Sequence, residues 1–228
     1  MNNYINVIAI VEGKTEQNFI EKILAPYLGF KNIGIRATQV SKPGQKGGDV
    51  RFSRVKKDLI IHLKQQTDTY ITTFVDYYGI KEWPGLNLIK ENDNPESISI
   101  KLNEGAKAEI ESVFSKKVIE KRFIPFVAIH EFEALLFSHP AILSESIGIK
   151  EITVKEVIDE FGSPEAINNS PMTAPSKRLD GWCANGKFLK TTMGINIAKA
   201  IGIDLIREKC LLFNNWLKKI EEIQKSEI

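Results

Sequence analysis

The chain has 228 residues, 43% of them hydrophobic and 26% charged, with a formal net charge of +2. That length and balance suit one large soluble domain or a domain with an appendage, and the charge is too small to argue for a polyanion partner by itself. Two cysteines, Cys183 and Cys210, make no metal-type pair and no disulfide framework, and no apolar run approaches the ~20 residues of a spanning helix, so a reducing cytoplasm and no membrane are expected.

The elements in chain order alternate. Ile5 and the run Val7–Val11 are apolar and largely β-branched, as in a strand buried on both faces, and the run ends on Glu12. Gly13-Lys14-Thr15 reads like the end of a phosphate loop, but that motif needs glycine at position 8, where Ile8 stands. What the turn offers is Glu12 at a strand tip. Thr15 then caps a helix whose apolar face is Phe19, Ile20, Ile23, Leu24, Tyr27 and Leu28. A second strand is expected over 32–40, a Pro/Gly loop over 41–51, a helix over 53–66 and a third strand over 70–79 that carries Asp76. An irregular insert follows, then a helix over 97–115 that Gly105 weakens. The stretch 122–138 opens as a fourth strand and turns helical near His130. The pattern predicts an α/β fold, a mainly parallel sheet of about four strands flanked by helices, over 1–138. From 139 to 228 only helical segments recur, and these are expected to form a C-terminal extension packed on the core.

In an open parallel sheet, ligands bind beyond the C-terminal strand ends. Three ends here carry acids: Glu12, Asp76, and Glu131 with Glu133. Such an oxygen-rich group suits Mg²⁺ or Mn²⁺. Acids also favour first helical turns, so each alone reads equally well as a cap; three together favour a site. His130 sits between a strand end and two acids and is either a supporting site residue or a hydrogen-bonded structural one, while His62 reads as structural. "HEFEA" lacks the second histidine of a zinc-protease motif, because Ala134 stands there. Basic residues Lys42, Lys46, Arg51, Arg54, Lys56 and Lys57 lie in and just after a Gly-rich stretch that fits either phosphates or a solvated face, and Lys177 and Arg178 in "PSKRL", with Lys187 and Lys190, make a weaker second patch. Trp182, Trp216, Phe213 and Leu217 read as core.

The stretch "VIAIVEGKTEQNFI" resembles the opening motif of Toprim domains, the metal-dependent module of topoisomerases, primases and overcoming-lysogenization-defect nucleases. "TFVDYYG" sits where that superfamily carries Asp-x-Asp, and "HEFEALLF", "APSKRL" and "FLKTTMGINIAKAIG" resemble a family of small bacterial Toprim-like proteins of unknown function. The resemblance implies Glu12 as general acid/base or metal-site residue and Asp76 as a Mg²⁺ ligand. The second aspartate falls on Tyr78, a poor ligand, so a full metal set would recruit Glu131, Glu133 or Glu82. Gly13 and Thr15 would support the turn, and Lys14 would lie near phosphate. By the same resemblance the expected activity is a Mg²⁺-dependent phosphodiester hydrolase, a nuclease of a phage-defence or mobile-element system, with nucleic acid and an ABC-type ATPase as partners. The rival is a non-catalytic scaffold, and a homo-oligomer is compatible with either.

Overall fold

A computed structural model describes residues 4–42, 45–46, 50–167, 172–184 and 186–223. Strand β1 (Ile5–Val11) is followed by α1 (Lys14–Phe19), a π-helical turn (Ile20–Leu24), α2 (Ala25–Gly29) and β2 (Ile33–Gln39). A two-stranded hairpin, β3 (Ser41–Lys42) with β4 (Gln45–Lys46), lies within the stretch expected to be a plain loop. Then come α3 (Phe52–Gln65), β5 (Thr69–Asp76), α4 (Pro95–Glu111), α5 (Lys116–Arg122), and the short strands β6 (Phe123–Ile124) and β7 (Val127–Ala128). Beyond a 3₁₀ segment (Phe132–Ser138) the described chain is helical: α6 (Pro140–Ile147), α7 (Glu151–Phe161), α8 (Pro175–Trp182), α9 (Ile195–Ile201), α10 (Ile203–Lys209) and α11 (Leu211–Glu221).

The sheet order is β2-β1-β5-β6, with β7 also on β5, and every pairing in it is parallel. The parallel α/β reading therefore holds, and all the C-terminal strand ends share one edge. Side chains alternate across β1 and β5, which explains their continuous apolar runs. Val7, Ala9, Val11, Tyr70 and Phe74 face a core shared with α1 and the C-terminal helices, while Ile10, Ile71 and Val75 face α3, α4 and α5. Residues on both sides of position 139 thus pack into one apolar cluster. Within it Trp216 stacks on Phe126 at 4.7 Å and donates its indole N–H to Thr72 Oγ1 at 2.8 Å. No described helix is long and apolar enough to cross a membrane.

Three local expectations change. The first helix is capped at Gly13, not Thr15, because Glu16 reaches back to accept the Gly13 N–H at 2.8 Å. The turn after β7 is 3₁₀, and it opens at a kink where His130 takes φ 69°. Gly105 is a requirement of α4, not a weakness: a Cβ there would lie 2.5 Å from the Pro84 carbonyl oxygen, so the insert after β5 packs directly on the helix backbone.

Candidate functional site

The site is built from the strand ends upward. Glu12 follows β1, Asp76 ends β5, and Glu131 with Glu133 follows β7. Parallel pairing of β1 and β7 on either side of β5 brings them to one place, and α1 adds Glu16. Asp76 Oδ1 accepts the Phe132 N–H at 2.9 Å, which locks the loop bearing Glu131 and Glu133 onto the end of β5. Tyr78 extends the same join through its own N–H to the His130 carbonyl at 2.8 Å.

Two residues from the helical region complete the cluster. Ser176, in the first turn of α8, donates its N–H to Glu131 Oε2 and its hydroxyl to Glu131 Oε1, each at 2.8 Å. Lys190 opens a π-helical turn (Lys190–Gly194) that packs on α1, and its Nζ stands 3.0 Å from Glu133 Oε1 and 4.0 Å from Glu131 Oε1. Glu133 is 1% exposed, and neither of its oxygens accepts a well-formed hydrogen bond, so its contact with Lys190 is an ion pair without hydrogen-bond alignment.

Electrostatics follow from one lysine among five carboxylates. Burial, then repulsion from Glu16, Glu133 and Glu12, holds Asp76 well above the usual carboxylate range. Burial lifts Glu133 to about 7 although Lys190 pulls it down. Glu12 is raised chiefly by burial, with the Asp76 main-chain amide and Lys190 acting against it, and Glu16 is raised by burial and by Glu12. Burial lowers Lys190, but Glu133 and Glu131 outweigh it, and the ammonium is held charged. His130, buried and with Nδ1 unpartnered, is lowered to about 4 by burial.

The sequence-predicted residues divide accordingly. Glu12, Asp76, Glu131 and Glu133 come together, with His130 beside them and Gly13 in the turn. Thr15 is buried in α1. Lys14 is exposed and reaches Gln17 at 3.3 Å, and among the described residues it makes no ion pair with the acids. Glu82 caps α3 through the Ser53 N–H at 3.0 Å, which gives it a structural task in place of metal binding. Arg51 is the N-cap residue of α3 and bridges Glu82 in the backbone, and Arg54 lies on α3 one turn further. The hairpin carries Lys46, whose side chain lies outside the described residues. Lys177 is exposed, and Arg178 is held by the Thr173 carbonyl at 2.8 Å and stacks 5.4 Å from the Phe161 ring, so it points to structure and not to phosphate.

Glu16 and Ser176 were missed, and Lys190 was placed only in the weak basic patch, not among the acids. The last two lie inside motifs that the sequence marks, "APSKRL" and "FLKTTMG", but the residues turned inward are the serine and the lysine after Leu189, not the adjacent Lys177 and Arg178. Glu16, four residues after Glu12, carries its signal in that spacing.

The chain belongs to the family described as Domain of unknown function (DUF4276), whose model matches residues 11–221. That span runs from the last residue of β1 to the last residue of α11, so it takes in every residue of the cluster. No curated protein and no solved structure matches the chain.

Proposed function

We propose that this protein is a Mg²⁺- or Mn²⁺-dependent phosphodiester hydrolase of the Toprim kind, a nuclease working with an ATPase partner in a phage-defence or mobile-element setting. The observation that carries the reading is Glu133: a carboxylate sealed from solvent, its oxygens without hydrogen bonds, facing other acids with one lysine to offset them. Lys190 offsets one of these buried carboxylates, and the excess negative charge that remains is costly unless a further cation joins it. Among the described residues no three acids, histidines or cysteines stand as a preformed coordination group. The donor chemistry nonetheless fits a hard divalent ion, which takes carboxylate oxygens and retains waters. Asp76 and Glu133 would hold it with retained waters, while Glu131, both oxygens engaged by Ser176, keeps the loop in place.

The ion, when bound, would supply Lewis-acid polarisation of a phosphoryl oxygen and a more acidic water. The chain's own part is proton traffic and charge. Glu12, half-buried with its pKa raised, is suited to take a proton from water and return it to the leaving oxygen. Lys190, charged and 42% exposed, presents a cation to a phosphate arriving from solvent. The test is cleavage of labelled DNA and RNA with Mg²⁺ and with EDTA, with the ATPase added if the protein is silent alone. Glu12→Gln should reduce metal-dependent cleavage by roughly 10²–10⁴-fold with an unchanged melting temperature. Wild-type cleavage by that variant would remove Glu12 from the mechanism.

Two observations favour a non-catalytic scaffold instead. Lys190 already neutralises Glu133, and Tyr78 stands where the motif would place a second acid. Calorimetric titration with Mn²⁺ separates the two, since a scaffold held by Lys190 would take up no ion.

A further inference from the structure

A cavity of about 860 Å³ opens beside α3 and the insert after β5, away from the acids just described. Its floor is apolar: Phe52, Trp83, Pro84, Leu86 and Ile60. Trp83 is fixed, its indole N–H on the Leu102 carbonyl at 3.2 Å and its ring edge-on to Phe52 at 5.0 Å. The rim is basic, and its charges are unequal in freedom. Glu109 is paired with Lys56 at 2.6 Å, and Glu82 Oε1 is held by the Ser53 N–H. Glu109 is therefore neutralised, while Glu82 accepts a main-chain hydrogen bond and keeps its charge. Lys57 and Lys81 are exposed and have no ion-pair partner among the described residues. The rim thus carries two uncommitted cations over an apolar floor in which the Phe52 and Trp83 rings are only 3% and 5% exposed.

Its place in the fold matters as well. Lys81 follows Asp76 by five residues, so their Cα atoms are no more than about 18 Å apart even if the chain between them were extended. That is a span of a few nucleotides. An apolar slot with free ammonium groups complements a flat base attached to an anionic backbone, the combination that binds single strands. A duplex, whose bases are stacked and paired, would offer the floor nothing.

We propose that this cavity seats an unpaired base of a single-stranded nucleic acid, with Lys57 and Lys81 on the flanking phosphates and the strand running on toward Asp76. The proposal rests on the hydrolase reading for its purpose, but its test does not. Binding of a fluorescein-labelled oligothymidine should be followed by anisotropy in EDTA, as a function of salt. Lys57→Ala with Lys81→Ala, both at exposed positions, should weaken binding about tenfold at 0.1 M salt. The double variant should also flatten the log–log salt slope by about 1.4, the share of two single-strand phosphates. Ile60→Trp, which fills the slot without altering charge, should weaken binding to a similar degree with the slope unchanged. Unaltered affinity in both variants would overturn the proposal, as would no binding by the wild type or equal preference for a blunt duplex. Because no ion is present, the cavity stands or falls on these affinities whether or not cleavage is ever seen.

Discussion

At the scale of single residues, the site is governed by charges that the fold leaves poorly matched. Lys190 is the clearest case, because among the described residues it is the only cation drawn into the cluster and Glu133 has no other partner to replace it. Lys190→Met should cost about 1–2 kcal/mol at pH 8, a figure reduced for the exposed flank of the lysine. At pH 5, below the Glu133 value of about 7, the carboxyl is protonated and the loss should nearly vanish. Urea melts at the two pH values measure this, and an equal loss at both would show that Lys190 acts by packing alone. His130 gives a pH dependence of the same sense by a different route. Its folded pKa of about 4 lies below the unfolded value near 6.5, so the unfolded chain binds the extra proton between the two. The stability from His130 is complete above pH 6.5 and is lost as pH falls through 6.5 toward 4, by about 3 kcal/mol at most. A C2–H resonance titrating near 6.5 in the folded protein would refute the buried neutral imidazole.

At the scale of elements, the insert after β5 is held by backbone-to-backbone packing that only glycine permits. Gly105 lies in α4 where Pro84 and Gly85 approach, and the three atoms nearest to a Cβ there are all main chain, which cannot swing aside. Gly105→Ala should therefore destabilise by about 1–3 kcal/mol, against the gain of a few tenths to one that alanine brings to an unhindered helix. Thermal unfolding decides the sign, and a stabilised variant would mean that the insert is not seated on α4. This position also marks how far local sequence reaches. The strands were legible because β1 and β5 are buried on both faces and must be apolar throughout, and acids at their ends stand out against such runs. Gly105 misled because propensity sees only the helix and not the chain that crosses it. The hairpin of β3 and β4 was hidden in a Pro/Gly stretch, where composition says turn but not which residues pair. The inward roles of Ser176 and Lys190 were illegible for a related reason. Each is an ordinary polar residue on a helical turn, and only the packing of α8 and of the π-helical turn against the strand edge aims it at Glu131 or Glu133.

At the scale of the whole molecule, the repulsion in the cluster makes a thermodynamic claim about metal. In the absence of a cation, Asp76 is held well above its unfolded pKa, so at neutral pH keeping it ionised costs stability, and that stability returns only as pH falls. Asp76→Asn removes the charge, yet its amide oxygen can still accept the Phe132 N–H that closes the loop. In EDTA at pH 7.5 the variant should therefore melt at or above the wild-type temperature, unlike most changes at a site that ties two elements together. Added Mg²⁺ should reverse the order. A ligand at a hundred times its Kd stabilises the folded state by about 2.7 kcal/mol, and the wild type should gain close to this while the variant gains far less. The crossing of the two melting curves with metal separates a binding site from a structural cluster. Were the residues only structural, Asp76→Asn would lower stability alike with and without metal. Equal shifts of both proteins by Mg²⁺ would place the ion elsewhere on the surface.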